Sequence, residues 1–269
     1  MDVSYLAKKN FHPRDTRIEF DEGPHIYYID GSCKGYVSVT TWNHSHFETF
    51  DADAIITKMM ASPKWTNNKY YGKTRDEIKG QWDANRDEAA SAGTKMHFDI
   101  ECYYNSLQVQ NTSTEYLYFE AFLANMREKK YGNLAPYRTE WTVFDEDLKL
   151  SGSIDMVFQR LDNDDNPTDT LEIYDWKRCR DISKTSGFGK FAHTECISHL
   201  PDTNYWHYCL QLNIYKAILE RRYGKKVDGL YLVCLHPDNK NKSYMRIKVA
   251  NLEEEVAELF EYRKEQIVK

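Results

Sequence analysis

The sequence predicts an α/β protein: a central mixed β-sheet flanked by helices, with an N-terminal helical elaboration. Three observations predict it. Two β-rich segments, 150–159 and 171–177, are separated by the acidic turn Asp162-Asn163-Asp164-Asp165-Asn166-Pro167, and so form an antiparallel pair. A long helical run over 75–105 precedes them. A helix over about 204–223 and the apolar run 227–235 follow them, which completes the helix–strand layering of this class. The chain has 269 residues, 41% hydrophobic and 14% aromatic, ample for a core. It shows no long Pro/Gly/Ser linker and no internal repeat, so it reads as one domain, with an elaboration over 1–90 and a core over 91–269.

The elements follow in order. Residues 17–20 and 25–29 read as short strands, with Asp30-Gly31 as a turn signal. Asp51 caps a helix that must end before Pro63. The run 75–105 makes one or two helices, and 113–130 another, closed by Tyr131-Gly132-Asn133. Strands follow at about 137–144, 150–159 and 171–178. After the 204–223 helix and the 227–235 strand, 243–249 alternates like an outer strand. Asn251 is placed to cap a last helix whose Glu253-Glu254-Glu255 suit its N-terminal dipole.

Alternate residues of a strand share a face, so Asp175 and Lys177 point one way and Glu172, Tyr174 and Trp176 the other. The antiparallel pairing brings Asp155, of Gly152-Ser153-Ile154-Asp155, beside Asp175. Two carboxylates on a rigid sheet suit Mg²⁺, which takes oxygen ligands and keeps several waters. A neighbouring ammonium can orient or deprotonate a water, or stabilise charge on a phosphate. An Asp-x-Lys pair is also common as a solvated strand face. The other segments therefore decide what it means.

Gly93-Thr94-Lys95-Met96-His97 lies in the helical run 75–105, Tyr137-Arg138-Thr139-Glu140-Trp141 precedes Gly152, and Gln211-Leu212-Asn213-Ile214-Tyr215 lies on the later helix. Together with Asp155 and Asp175-Trp176-Lys177, in this order, they resemble the PD-(D/E)XK nucleases of the RecB-like and lambda-exonuclease-like branch. His25-Ile26-Tyr27-Tyr28 to Val37-Ser38-Val39-Thr40 resembles the start of phage and large-virus members. The resemblance covers the chain from about His25 to the lysine-rich strands near the end. It implies a restriction-endonuclease-like core and a Mg²⁺- or Mn²⁺-dependent deoxyribonuclease. Asp155 and Asp175 would be metal ligands, with His97 and the Trp176 carbonyl as further ligands. Glu140 would be a third acidic ligand or would orient a water. Lys177 would position the water or stabilise the phosphate, and Gln211 and Tyr215 would orient the substrate.

Gln211 and Tyr215 are spaced i,i+4 and share a helix face. Leu210, Ile214, Ala217 and Ile218 already supply an apolar stripe, which leaves Gln211 as a polar residue at its margin. The expected activity is exonucleolytic hydrolysis of DNA, duplex with a free end, in viral or phage-type recombination, repair or replication. A structure-selective endonuclease (resolvase or nickase) and an inactive DNA-end-binding accessory protein remain open. A homo-oligomer or a recombination partner protein is compatible with the resemblance.

A formal net charge of −6 argues against a DNA-coating protein, although a local basic channel can coexist with an acidic exterior. Arg178, and Lys190 in Ser186-Gly187-Phe188-Gly189-Lys190, are candidate DNA contacts on a loop that is equally readable as an ordinary flexible one. Cys33, Cys102, Cys179, Cys196, Cys209 and Cys234 are scattered without a Cys-x-x-Cys pair. No iron–sulfur cluster is therefore expected, and reduced thiols in an intracellular setting are. The first residues carry no signal-peptide pattern, and no apolar run reaches membrane-spanning length. The expectation is a soluble protein, in host cytoplasm or nucleus if viral.

Overall fold

In the computed structural model, which describes residues 2–187 and 189–268, the central feature is a six-stranded mixed sheet. The elements run α1 (Tyr5–Lys9), β1 (Ile18–Asp21), β2 (Ile26–Ile29), β3 (Val37–Ser38), α2 (Val39–His44), α3 (Ala52–Met60), α4 (Arg75–Tyr104), α5 (Thr114–Arg127), β4 (Leu134–Asp145), β5 (Leu150–Leu161), β6 (Pro167–Lys177), α6 (Asn204–Arg222), β7 (Lys226–Cys234), β8 (Met245–Lys248) and α7 (Glu253–Val268). The chain is an α/β protein with helices on both faces of the sheet and an N-terminal helical region. β1 and β2 form a separate antiparallel hairpin.

Local chemistry accounts for most boundaries. Asp51 accepts from the Ala54 N–H to start α3. Thr74 and Glu77 form a reciprocal capping box at the start of α4, satisfying donors that a helix start leaves orphaned. The run left open as one or two helices is a single helix of 30 residues. Ser113 caps α5, and positive φ at Lys129 and Gly132 ends its run three residues short of 130. The strands flanking the acidic turn are longer than expected. Asp162 Oδ1 accepts from the Asp164 and Asn166 N–H groups, and this tight loop lets β6 begin at Pro167. α7 begins at Glu253, one residue later than an Asn251 cap implies. Asn213 of α6 accepts from the Leu252 N–H there and donates to the Ala250 carbonyl.

The sheet separates two apolar layers. Trp141, Ile154, Ile173 and Leu232 pack with α2, α6 and α7 on one face. Met156, Phe158, Tyr174 and Trp176 pack with Met96 and Ile100 of α4 and Phe119 and Phe122 of α5 on the other. Trp141, Phe119 and Phe122 are fully buried, and each such ring contributes about 3–5 kcal/mol against truncation to alanine.

One irregularity positions the site. β4 pairs with β5 along most of its length, from Leu134↔Arg160 to Asp145↔Leu150. The opposite edge of β5 is shared. β3 runs parallel to it at Leu150 and Ser151, and β6 runs antiparallel to it from Met156↔Tyr174 onward. Between them, among the described residues, Gly152 to Asp155 has no strand partner on that edge. β5 and β6 part after the Met156–Tyr174 pair, and the functional candidates Asp155, Asp175, Trp176 and Lys177 lie at that fork.

Candidate metal centre

Asp155 stands at the fork and accepts the Trp176 N–H on Oδ2 at 2.9 Å. The bond bridges the gap where the ladder has ended. Across the sheet from it, Glu140 of β4 has a φ of +40°, a region that non-glycine side chains avoid at a cost of about 1–3 kcal/mol. The strain has a visible result. A regular pleat would send Thr139 and Glu140 to opposite faces. Here both turn toward α4: Thr139 Oγ1 accepts from Asn105 Nδ2 at 2.9 Å, and Glu140 Oε1 lies 3.7 Å from His97 Nδ1. Arg138, which simple alternation would place with Glu140, instead pairs with Asp15 at 2.7 Å and lies over the Trp141 ring. Ser153 Oγ donates to Glu140 Oε2 at 2.8 Å and fixes the carboxylate.

His97 projects from α4 into this space. Its Nε2 lies 2.8 Å from the Trp176 carbonyl and its Nδ1 3.6 Å from Asp155 Oδ2. A ring N–H on Nε2 donating to that carbonyl leaves Nδ1 as the nitrogen facing the two carboxylates. Ligand atoms of His97, Glu140 and Asp155 all lie within 4.8 Å of one another, and the three could bind a metal ion. One imidazole with two carboxylates is a donor set suited to Mg²⁺ or Mn²⁺ as well as to later divalent metals. Burial works against charge on His97, but Asp155 and Glu140 outweigh it and push the imidazole up to about 9. Binding a cation at Nδ1 must therefore displace a proton.

Asp175 and Lys177 sit on the other side of the fork, as strand alternation predicts. Lys177 Nζ lies 2.7 Å from Asp175 Oδ2 and over the Tyr208 ring at 4.7 Å. Burial pushes the Asp175 carboxyl up to about 6, Lys177 opposing and Asp155 assisting. Burial also raises Asp155, with the His97 charge opposing it. Lys177 is raised above its ordinary value despite burial, because Asp175 and Asp155 outweigh desolvation. It is a firmly charged ammonium. Among the described residues Asp175 is outside the three-residue cluster, and its nearest charged partner is Lys177.

Tyr215 of α6 is buried at 3% exposure and covers the unpaired edge of β5. A Cβ on Gly152 would meet its Oη at 2.6 Å and its Cε1 at 2.9 Å. Gly152 is thus glycine because the tyrosine occupies the space a side chain would need. Gln211, one turn earlier, hydrogen-bonds Tyr215. Gly152→Ala is expected to cost about 1–3 kcal/mol, the range for overpacking a buried contact. Urea or thermal unfolding measures it, and an unchanged midpoint would refute the contact.

The two DNA-contact candidates are engaged elsewhere. Arg178 Nε pairs with Glu115 Oε1 at 2.7 Å, and Lys190 Nζ pairs with Glu48. Phe188, the aromatic of that loop, lies outside the described residues. The sequence reading also passed over three neighbours of the centre. Glu101 lies one turn after His97, a signal legible as i,i+4 spacing. Burial and the nearby Glu140 and Glu22 push it up to about 7. Tyr27, from the hairpin, is 6% exposed. Burial raises it above its ordinary value, with Glu140 and Asp155 adding to the effect. Tyr208 offered only its place among aromatics at the start of α6. A cleft of about 620 Å³ opens beside His97 and Glu140; Phe20, His25, Tyr27, Phe98 and Glu101 line its walls, with no lysine or arginine among its described lining residues.

Among the described residues no helix is long and apolar enough to cross a membrane. No protein-family model and no curated protein sequence matches the chain.

Proposed function

We propose that this chain is a metal-dependent deoxyribonuclease of the PD-(D/E)XK kind, hydrolysing phosphodiester bonds from DNA ends. The observation that carries the reading is convergence. Residues singled out by motif resemblance come from α4, β4, β5, β6 and α6, far apart in sequence, and meet at one fork of the sheet. His97 Nδ1, Glu140 and Asp155 would hold Mg²⁺ or Mn²⁺, with Asp175 adjacent; the Trp176 carbonyl, a ligand by the resemblance, instead faces Nε2 on the far side of the His97 ring. When bound, the ion supplies a water of lowered pKa and offsets negative charge on the phosphate. The chain's own groups do the rest. The Lys177 ammonium is held by Asp175 and backed by the Tyr208 ring. Held in this position, it would orient the water or stabilise negative charge on the phosphate. The Trp176 carbonyl fixes the His97 ring, and Ser153 fixes Glu140. Gln211 and Tyr215 support the strand that bears Asp155.

Preference for ends over internal sites rests on the resemblance to RecB-like and lambda-exonuclease-like enzymes. End-labelled linear duplex and closed circular DNA, incubated side by side with Mg²⁺, Mn²⁺ or EDTA, test the proposal. Loss of the linear DNA alone, abolished by EDTA, is expected. Cutting of the circle would replace the exonuclease by a resolvase- or nickase-like endonuclease. DNA binding without cleavage in either metal would replace it by an end-binding accessory protein.

A further inference from the structure

We propose that Cys179 and Cys234 form a reversible disulfide site that responds to peroxide by tethering the exit of β6 to β7 beside Lys177. All six cysteines are free thiols, and these two stand in direct thiol–thiol contact, with sulfurs 3.7 Å apart. Cys234 is the last residue of β7 and the register partner of Lys177 in the parallel ladder. The Leu235 N–H still donates to the Lys177 carbonyl at 2.9 Å. Cys179 lies two residues past the end of β6, beyond that last rung. Closing to a disulfide bond of about 2.05 Å therefore draws the loop toward the strand.

The exposures fix the order of events. Cys234 is fully buried, whereas Cys179 is only partly so. The Cys179 thiol is also held below its ordinary value, by its hydrogen bond with Cys234 first, against burial and with help from Lys177. The Cys179 thiolate attacks hydrogen peroxide, giving a sulfenic acid and releasing one water. The Cys234 thiol then attacks that sulfur, forming the S–S bond and releasing a second water. Two thiols and one peroxide thus become one disulfide and two waters. A thiol reductant reverses it.

The consequence falls on the neighbouring lysine. Lys177 is bracketed by the two cysteines, two residues from one and laterally paired with the other. Drawing them together displaces its ammonium from Asp175, and a misplacement of about 1 Å at a reacting centre costs on the order of 100-fold in rate. The effect on DNA cleavage rests on the nuclease reading above; the disulfide itself does not.

The full chain is treated with one equivalent of hydrogen peroxide, quenched, alkylated under denaturing conditions and mapped by mass spectrometry. A Cys179–Cys234 linked peptide lighter by two hydrogens, lost on adding dithiothreitol, is expected. With it should come at least a tenfold fall in cleavage of linear DNA, restored by the reductant. Cys179→Ser, at the partly exposed position, should keep its activity and lose the response. Hydrogen exchange over residues 177–181 reads the tether with no reaction at all, and slower exchange after oxidation is expected. Absence of the linked peptide would overturn the site. A linked peptide with unchanged exchange and unchanged cleavage would overturn the tether. If the reduced protein cleaves no DNA, the proposed function fails, while mapping and exchange still decide the disulfide.

Discussion

Lys177→Ala is expected to lower DNA cleavage by about 10²–10³-fold, the loss seen when one preorganised charge-stabilising donor is removed. In the native chain the ammonium faces a carboxylate at 2.7 Å and an aromatic ring at 4.7 Å. Its position is therefore set before substrate arrives. Alanine removes the charge and leaves Asp175, at 3% exposure, without its cation. A buried carboxylate in that position takes up a proton, and burial has already pushed this one up to about 6. The fold thus survives the change better than the chemistry does. Lys177→Arg keeps a positive charge but replaces a compact ammonium by a planar fork, so it should retain more stability than activity. Single-turnover cleavage of linear DNA, with thermal unfolding of the same samples, separates the effects. Cleavage by the alanine variant within about twofold of wild type would remove Lys177 from the proposed mechanism.

Arg222→Ala is expected to cost about 3–5 kcal/mol, because it leaves a buried carboxylate without its main cation. The side chain of Asp145, at the end of β4, has no exposure. Its carboxylate accepts from Arg222 Nε at 2.9 Å and Nη2 at 3.0 Å, and from the Asp147 and Leu148 N–H groups. These contacts tie the end of α6 to the β4–β5 turn. Arg221 Nε lies farther off, at 3.4 Å, and compensates only in part, so the loss should sit near the lower end of the range. Denaturant unfolding measures it. A midpoint unchanged within error would mean that water replaces the guanidinium there. The pair is remote from the fork, so cleavage per folded molecule at low temperature should be preserved.

Much of this arrangement was legible in the sequence, for identifiable reasons. The acidic turn between two β-rich runs forces an antiparallel pair, and strand alternation puts Asp175 with Lys177. The Gln211–Tyr215 helix was bounded to within a residue, because its apolar stripe runs from start to finish. What escaped was tertiary. No local signal announces that two residues of β3 pair with β5, since Val37-Ser38 is too short to carry a pattern. Period-2 reasoning put Arg138 on the face of Glu140, and the positive φ at Glu140 is the reason it does not apply there. Arg178 and Lys190 looked available as free cations because their partners, Glu115 and Glu48, lie far away in sequence. Glu101 could have been found from helical spacing alone.

The bent backbone at Glu140 makes a trade-off visible. A glycine there would relieve the unfavourable dihedral, yet it would also delete the carboxylate that faces His97. Drift toward a more stable protein and retention of a working cluster thus pull against each other at this one codon. The opposition extends to the whole fork, where Glu140, Asp155 and Asp175 are gathered around a single lysine and a single histidine. A fold optimised only to persist would disperse these charges. One that keeps them together could hold a cationic guest, which would offset the crowding of negative charge.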